Sequence, residues 1–424
     1  MQVLFPLLWA SMPEAPQRGT TRDALAIPAF RRLYIGSFLS GIGRWMQAAA
    51  LGVLAWEISG SSGYLGAIIF ANLGPLALLS LVGGSLADTG NRRKILFLTQ
   101  IWQLVWTIVL AVNVADGEIG QNSLLIIVFV IGLGQGVYAP TFTSVIPELA
   151  GKNNLQAAVA LNSMSMNGAR VIGPALGGWL TSRFGFAEVF SLNAVTYLFV
   201  LVAIVLTTIP PASADPRNLG DRLFGGFRIA FRAPQVGRPL TLMCLFSFFC
   251  LPFIGQLPAI AEINMGIDAK SSQYGWFYAT FGFGALFGAA MVGTVLLQAA
   301  RSLLIRLSCI GFGITLAWLT FLRSINIGYF AIFFVGFFYL ILPTTLSTYW
   351  QEHVDENIRG RVAAIWVLSF GGTVPFGNLI AGPLVDATSL SAVLYFSAIF
   401  AGVLGVFFTL KQGPVIGEEI LEGK

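Results

Sequence analysis

The chain has 424 residues, of which 56% are hydrophobic and only 10% are charged. Soluble domains carry about a quarter charged residues, so this composition excludes an ordinary soluble protein and indicates a polytopic membrane protein. The net charge of +5 and the single histidine, His353, do not favour a metalloenzyme or a histidine-based hydrolase, and no metal, cofactor or nucleic-acid partner is predicted.

Residues 1–29 are predicted to form a cytoplasmic tail outside the fold. They begin with "MQVLFPLLWA", which is apolar but too short to cross a bilayer and has no preceding basic residue, so a secretory signal fits poorly. Met12 opens the polar stretch that follows and is an alternative start of the chain.

Twelve apolar stretches follow, each long enough to cross a bilayer as a helix. The predicted spans cover residues 36–58, 63–87, 95–115, 123–147, 156–182, 186–209, 239–261, 272–298, 302–322, 327–350, 361–385 and 390–410. Residues 210–238 are polar, proline-rich and basic, and we predict that they form a cytoplasmic linker. The prediction is an all-α membrane protein with twelve transmembrane helices in two pseudo-symmetric six-helix bundles, 30–209 and 239–411, followed by a tail at 412–424.

The distribution of charge predicts how the chain is oriented. Within the linker, "DRLFGGFRIAFR" (221–232) is amphipathic and is predicted to lie along the membrane surface. If the N-terminus is cytoplasmic, nineteen of the 24 Lys and Arg residues lie on that side and three lie outside, Arg183, Lys270 and Arg323. Basic residues concentrate in cytoplasmic loops, so both termini are predicted to be cytoplasmic.

The two bundles repeat weakly in sequence. Residues from two spans recur at offsets of 203 and 210: Pro140, Thr141 and Ser144 match Pro343, Thr344 and Ser347, and Ser61, Ser62 and Tyr64 match Ser271, Ser272 and Tyr274. Duplicated halves predict a substrate site near mid-membrane at their interface, exposed alternately by rocking one half against the other.

The loop after span 2 reads "GGSLADTGNRRKIL" (83–96). It resembles the signature of the major facilitator superfamily, G-x-L-A-D-R-x-G-R-R-x-x-L, which occupies the same loop. Thr89 replaces a basic residue of that pattern and Asn91 replaces a glycine. Asn tolerates left-handed backbone better than most residues, so we expect the turn to survive.

The resemblance implies a latch between the two halves on the cytoplasmic side. Asp88 is expected to accept hydrogen bonds from Arg92 and from the N-terminus of span 11, which begins near Arg361. Gln298 stands at the matching position of the second half, so the latch is asymmetric. The alternative is an ordinary short loop with basic residues. The predicted latch residues are Gly84, Asp88, Arg92, Arg93 and Arg361.

Span 5 contains "ARVIGPALGG" (169–178), which resembles the exporter signature G-x-x-x-G-P-x-x-G-G of the same superfamily. Gly173, Pro174, Gly177 and Gly178 match that signature, while Ala169 replaces its first glycine. Small residues at this spacing let another helix approach closely, and Pro174 deprives the carbonyl of Arg170 of its helical partner. The alternative is a packing groove with a tolerated kink and no substrate contact.

More widely, residues 30–410 resemble the bacterial siderophore and multidrug exporters of the superfamily, the enterobactin-exporter-like group. The segments that support this are "FRRLYIGSFLSGIGRWMQAAALGVLAWEISGS" (30–61), "LNSMSMNGARVIGPALGG" (161–178) and "IRGRVAAIWVLSFGGTVPFGNLIAGPL" (358–384). The resemblance implies the major facilitator fold.

Two arginines lie within predicted spans, where a charge costs at least about 2.5–3.5 kcal/mol. Arg170 either binds the freed backbone or a neighbouring Asn, or faces the cavity. Arg44 either forms an anion-attracting cavity with Gln47 or snorkels towards the cytoplasm. The candidate substrate cavity comprises Arg44, Gln47, Asn72, Gln135, Asn167, Arg170, Gln256 and Asn378.

We predict a secondary transporter of the bacterial cytoplasmic membrane that exports an amphiphilic small molecule, with the two arginines favouring an anionic or neutral substrate. Proton coupling is predicted, with Glu57 and Asp88 as candidate groups because no carboxylate lies well inside a predicted span.

The chain lacks a phosphate-binding G-x-x-x-x-G-K-[ST] loop, which excludes an ATP-driven pump in one chain. A solute importer and a non-transporting regulatory protein are the alternatives; an enzyme is not predicted. The predicted partners are the substrate, membrane lipid and protons, and the predicted state is a monomer.

Overall fold

The computed structural model describes residues 19–211, 219–411 and 413–417. Within its helices, the side chains at 81, 82, 85, 87–89, 147, 152 and 219–224 are not described. The predicted tails lie partly outside the described residues, as does the part of the linker at 212–218. The prediction that residues 1–29 lie outside the fold is wrong for its described part, because a short helix, Thr21–Ala26, buries Ala24 in a core cluster.

The described chain is almost entirely helical, and its twelve long helices follow the twelve predicted spans. In chain order they are α1 Pro28–Ser59, α2 Ser62–Thr89, α3 Arg92–Ala115, α4 Gln121–Ala150, α5 Leu155–Arg183, α6 Phe186–Val205, α7 Pro234–Cys250, α8 Ser272–Val292, α9 Arg301–Phe321, α10 Ile325–Glu352, α11 Glu356–Ala387 and α12 Leu390–Phe407. Ten of them are long and apolar enough to cross a membrane. The other two, α1 and α5, contain Arg44 and Arg170, and the full count of twelve crossings stays a prediction.

Proline explains the largest departure of the helices from the predicted spans. The predicted span 239–261 is not regular α-helix throughout. Helix α7 ends at Cys250 and is followed by a 3₁₀ turn, Leu251–Ile254, and then by a π-helical turn, Ile260–Asn264. Pro252 and Pro258 lie in this segment and lack the N–H that a helix needs. Helix α8 ends at Val292 rather than 298, and α11 contains a π turn at Leu368–Gly372.

Equivalent helices of the two halves begin in the same way. Ser61 caps α2 by accepting from the backbone N–H of Tyr64, and Ser271 caps α8 by accepting from that of Tyr274. Such caps satisfy N–H groups that have no partner within the helix. The sequence repeat is therefore also a repeat of local structure.

Equivalent ion pairs join neighbouring helices within each half. Arg92 of α3 contacts Glu148 of α4 at 2.6 Å, and Arg301 of α9 contacts Glu352 of α10 at 3.0 Å. Both pairs lie at the end of the bundle that holds the described chain termini and the linker. We call this end the linker face and the opposite end the distal face.

An amphipathic helix, Leu219–Arg232, crosses the linker face and is called the linker helix. Its apolar side packs on the protein, where Ile229 is fully buried in one cluster with Ile358 and Val362 of α11. Phe231 points away from that cluster and is 86% exposed. One side of this helix, which was predicted to lie on the membrane surface, therefore packs against the protein, whereas Phe231 on another side does not.

The C-terminal segment holds the linker face together. Val354, between α10 and α11, pairs with Ile416 in an isolated parallel bridge. The N–H of Ile416 donates to the carbonyl of His353, and the N–H of Asp355 donates to the carbonyl of Ile416, both at 3.0 Å. The Ile416 side chain is buried in the same cluster as Ile229, so this segment ties the linker helix to the start of α11.

Candidate functional site

The two halves meet where α5 packs on α8. A Cβ added to Gly178 would lie 2.3 Å from the Cα of Gly275, and one added to Gly275 would lie 2.7 Å from the Cα of Gly178. No side chain fits between backbones at this separation. Gly178 belongs to the predicted exporter signature. At this residue the backbones of α5 and α8 lie in direct contact, on the distal side of the interface.

The carbonyl freed by Pro174 also faces the other half. A Cβ added to Gly282 of α8 would lie 3.0 Å from the carbonyl oxygen of Arg170. Two other glycines of the signature serve α1 instead, because a Cβ on Gly173 would lie 2.5 Å from Cβ of Trp45 and one on Gly177 would lie 2.9 Å from the carbonyl oxygen of Met46. The signature thus packs α5 between α1 of its own half and α8 of the other half.

The second contact between the halves joins α2 and α11. A Cβ on Gly66 would lie 2.3 Å from the carbonyl oxygen of Asn378, and one on Gly382 would lie 2.3 Å from that of Ser62. Nearer the middle, Phe70 and Phe376 pack edge to face with centroids 5.4 Å apart. Both contacts run from the middle of the bundle to the distal face, which they close.

A carboxylate fixes the distal end of this second contact. Asp386 of α11 accepts from the hydroxyl of Ser61 at 2.6 Å and from the backbone N–H groups of Ser62 and Gly63, each at 2.8 Å. It therefore caps the N-terminus of a helix in the other half, where the helix dipole favours negative charge. We call this contact the distal clamp.

Asp386 is not among the predicted site residues, because it lies beside the predicted end of span 11. A signal was present, since an acidic residue in the last turn of a helix is unfavourable unless another group stabilises it. Here that group is the start of α2, more than 300 residues away in sequence.

Two further polar contacts cross the distal face. Glu57 pairs with Lys270 at 2.8 Å, and the indole N–H of Trp56 donates to Glu262 at 2.6 Å. The Glu57 side chain is 47% exposed. The structure therefore places this candidate coupling residue at the distal surface, in a contact between the halves, and not in a buried cavity.

Arg170 lies between two aromatic rings near the centre of the interface. Its guanidinium carbon is 4.9 Å from the ring centroid of Trp45 and 5.9 Å from that of Tyr339. Its Nε and Nη1 atoms are buried and have no hydrogen-bond partner among the described residues. Of the predicted alternatives, the guanidinium binds neither the freed backbone nor an Asn through these atoms; it lies between one ring from each half.

Aromatic side chains continue from Tyr339 along the second half. Tyr339 packs on Phe281 and on Phe370, with centroids 5.3 Å and 6.2 Å apart, and Phe370 packs on Trp366 at 6.2 Å. The interface therefore combines an arginine with spare donors and a row of ring faces. This combination suits a ligand with an anionic group and an apolar or aromatic body.

Arg44 is satisfied by its own half. Its Nη1 donates to Gln135 of α4 at 2.9 Å, and its guanidinium carbon lies 5.8 Å from the ring centroid of Tyr138. The expected partnership with Gln47 is absent, because Gln47 is buried and accepts from Asn193 of α6 at 2.7 Å. Gln47 therefore lies inside the first half and not in a cavity between the halves.

The other predicted cavity amides are spread along the bundle. Gln256 and Asn378 are buried. The Gln256 amide donates to the carbonyl of Ser62, and the Asn378 amide to that of Val374, so both lie within the closed distal part. The amide of Asn167 donates to the carbonyl of Ser163 in its own helix. Asn72 is half-buried on α2, and its backbone carbonyl oxygen lies against Gly132 of α4.

The predicted latch is only partly described. Gly84 has no neighbour where a Cβ would lie, whereas the side chain of Asp88 lies outside the description. Arg92 contacts Glu148, and Arg93 donates to the carbonyl of Val205 at 2.6 Å. The latch between the halves therefore stays a prediction.

Two details of the predicted latch need correction. Helix α11 begins at Glu356, more than one turn before Arg361, and the carbonyl oxygen of Arg361 faces Gly226 of the linker helix. Asn91 is not left-handed: its φ is −76°, and its side chain caps α3 by accepting from the N–H of Lys94. Asn replaces the glycine of the pattern here because it supplies a cap.

An open surface groove of about 350 Å³ lies apart from the interface, between α3 and α6. Its lining is apolar except for Ser191, and it includes Leu104, Ile108 and Leu198. It belongs to the first half alone and contains none of the predicted site residues.

The described residues form two pseudo-symmetric helical halves that meet through paired glycines, with an arginine near the centre of their interface. This arrangement defines a multi-pass helical membrane protein. The profile of the transmembrane secretion effector family matches residues 20–418. The chain belongs to this family of the major facilitator superfamily.

Individual relatives and solved structures agree with this assignment. The enterobactin exporter EntS of Escherichia coli O81 (strain ED1a) is 26% identical over 344 residues, which are 80% of this chain and 81% of that protein. A mutant of the nucleoside transporter NupG superposes with a TM-score of 0.73 at 13% identity, covering 90% of this chain and 98% of that one. A bacterial homologue of the human lysosomal transporter Spinster, inward-facing and unoccupied, gives 0.69 at 16% identity, covering 92% and 98%.

Proposed function

We propose that this protein exports an anionic amphiphilic small molecule by alternating access between its two halves. The observation behind this proposal is Arg170, whose buried Nε and Nη1 have no described partner while aromatic rings from both halves flank it. A charge in this position is costly unless it has a role. An anionic group of a substrate supplies the missing acceptor, and the neighbouring rings accommodate the rest of the molecule.

Outward transport is the direction that fits best. The chain resembles a protein named as an exporter over most of its length, and its α5 glycines match the exporter signature. With the linker face cytoplasmic, as the basic residues predict, the closed distal face lies on the outside. This arrangement suits loading from the cytoplasm of a bacterium.

Proton coupling forms part of the proposal. The carboxylates of Glu57, Glu262 and Asp386 all lie in contacts between the halves on the distal face. These carboxylates are exposed at that face, where protons driven inward would first meet the protein. The protein is proposed to move its substrate chemically unchanged, as a monomer in the cytoplasmic membrane.

The experiment that tests this function uses purified protein in liposomes with and without an imposed pH gradient. A panel of matched anionic and neutral amphiphiles identifies what is moved, in which direction, and whether the gradient drives it. We expect anionic amphiphiles to leave the compartment that the linker face contacts. Uptake in the opposite direction would indicate an importer, and no flux of any substrate would indicate a regulatory protein.

Charge recognition is tested with Arg170→Gln, Arg44→Gln and a control. Arg323 serves as the control because it lies on the distal surface and donates to the carbonyl of Thr320 near its own helix end. Arg170→Gln is expected to lower export of anionic substrates at least tenfold, since a charge-assisted contact is worth about 1.5–3 kcal/mol. Arg44→Gln is expected to have a smaller effect and Arg323→Gln none. Unchanged export of every anionic substrate in both cavity variants would end the charge argument.

A further inference from the structure

Arg170 contacts one ring from each half, and the two contacts differ in what they join. Trp45 lies on α1, in the same half as Arg170, whereas Tyr339 lies on α10 of the other half. The attraction between the guanidinium and the Tyr339 ring therefore crosses the interface. It acts in the arrangement described here, in which the distal face is closed, and a movement of α5 away from α10 would break it.

We propose that an oxyanion of the substrate, such as a carboxylate, competes with the Tyr339 ring for the charge of Arg170 and so releases the two halves for opening of the distal face. This inference rests on the proposed function, because it assigns the substrate a role in its own transport. It names Arg170 as the anion subsite and Tyr339 as a positioning residue that holds the closed arrangement until the subsite is filled.

The competition follows from the nature of the two contacts. A ring face attracts a cation through its quadrupole, with an energy of about 0.5–2 kcal/mol that depends on net positive charge. A carboxylate at Nε or Nη1 forms a charge-assisted hydrogen bond and cancels much of that charge at short range, where the surroundings screen little. The ring then loses much of its attraction for the guanidinium.

Tyr339 itself is not free to follow Arg170. Its side chain is 4% exposed and is packed between Phe281 and Phe370 of the second half. The ring is therefore part of a fixed wall, and the guanidinium is the partner that changes its contacts. A ligand shifts an equilibrium only through a difference in affinity between two states, and the competition for Arg170 supplies that difference.

The test measures the separation of the distal loops. Spin labels are attached at Asp116→Cys, between α3 and α4, and at Ser324→Cys, between α9 and α10, in a chain whose three cysteines are replaced. Both positions are exposed and lie in different halves. Without ligand, Tyr339→Leu is expected to raise the ratio of open to closed molecules roughly two- to thirtyfold. Tyr339→Phe keeps the ring and is expected to give the wild-type distribution.

The ligand arm compares 2-naphthoate with its neutral amide, which has the same rings. Naphthoate is expected to shift wild-type protein towards the open distances and the amide is not. Arg170→Gln is expected to respond to neither. An equal effect of the two compounds, no effect of naphthoate on the wild type, or a wild-type distribution in Tyr339→Leu would each overturn the inference.

Transport of naphthoate by the same preparations separates this inference from the proposed function. If the wild type exports naphthoate while Tyr339→Leu keeps wild-type distances, the function stands and the competition is wrong. If no anion is exported, the function fails, and a changed distribution in Tyr339→Leu still supports the bridge between the halves. Elution as a single species and a retained melting temperature confirm that each variant has folded.

Discussion

The carboxylate of Asp386 accepts a 2.6 Å hydrogen bond from the hydroxyl of Ser61, which lies 325 residues earlier in the chain and in the other half of the molecule. The same carboxylate also accepts from two N–H groups at the start of α2. One side chain on the last turn of α11 thereby satisfies donors that the first turn of α2 leaves open.

Replacing Asp386 with Asn removes the charge and turns one acceptor into a donor. We expect the closed distal face to lose about 1–3 kcal/mol relative to the open one, and a cysteine introduced at Ser62, which is 2% exposed in the closed arrangement, to react faster with a water-soluble maleimide. Asp116→Asn is the matched control, because Asp116 is an exposed aspartate on the same face outside the interface. Equal reaction rates in Asp386→Asn and the control would show that the clamp does not hold the face closed.

The two equivalent ion pairs differ in burial and are expected to differ in strength. Arg92 is 4% exposed, whereas Arg301 is 23% exposed. Neutralising the partner of a buried charge costs more than neutralising one at the surface, where ion pairs contribute about 0–1 kcal/mol. Glu148→Gln is therefore expected to lower the melting temperature in detergent more than Glu352→Gln does. The reverse order would mean that burial does not set the strength of these pairs.

The contact of Gly178 with Gly275 predicts intolerance of any larger residue at either position. A Cβ at 178 lies 2.3 Å from the neighbouring Cα, so α5 and α8 must move apart. Overpacking of this kind costs about 1–3 kcal/mol, and Gly178→Val is expected to reduce export and raise distal exposure. Gly402→Val on α12 is the control, since no neighbour lies where its Cβ would be. Export at the wild-type rate in Gly178→Val would show that close packing here is dispensable.

The C-terminal segment offers a test with adjacent residues. Ile416 is 6% exposed and Val415 is 57% exposed. Ile416→Asp is expected to release the segment, because burial of an isoleucine side chain contributes about 1.5–3 kcal/mol, and to make the linker helix more sensitive to protease. Val415→Asp is expected to leave digestion unchanged. Identical digestion of the two variants would show that the segment does not hold the linker helix.

The spans and the duplication follow from the sequence because both depend on local pattern. Most ends of the predicted apolar spans lie within a few residues of the observed helix ends. The repeat at Ser61 and Ser271 reappears as two equivalent helix caps. The irregular end of α7 was foreseeable from Pro252 and Pro258, whose lack of an N–H acts within the same segment.

The partners across the interface did not follow from the sequence. Trp45 and Tyr339 are two of ten tryptophans and ten tyrosines, and no spacing rule tells which rings face Arg170 when helices from different halves pack. The same holds for Gln47 and Asn193, whose bond depends on how α1 and α6 are turned towards each other. Placement within a span was predictable, whereas orientation around each helix required the packed bundle.

The glycine pair between α5 and α8 affects the entropy of closing the distal face. Ordering a long side chain costs up to about 1.5–2 kcal/mol of rotamer entropy, while glycine has none to lose. Bringing Gly178 against Gly275 therefore immobilises no side chain. Closure orders side chains elsewhere, at the rim Asp386, Glu57 and Lys270 and nearer the middle Phe70 and Phe376, so the glycine pair lets the halves meet without adding to that cost.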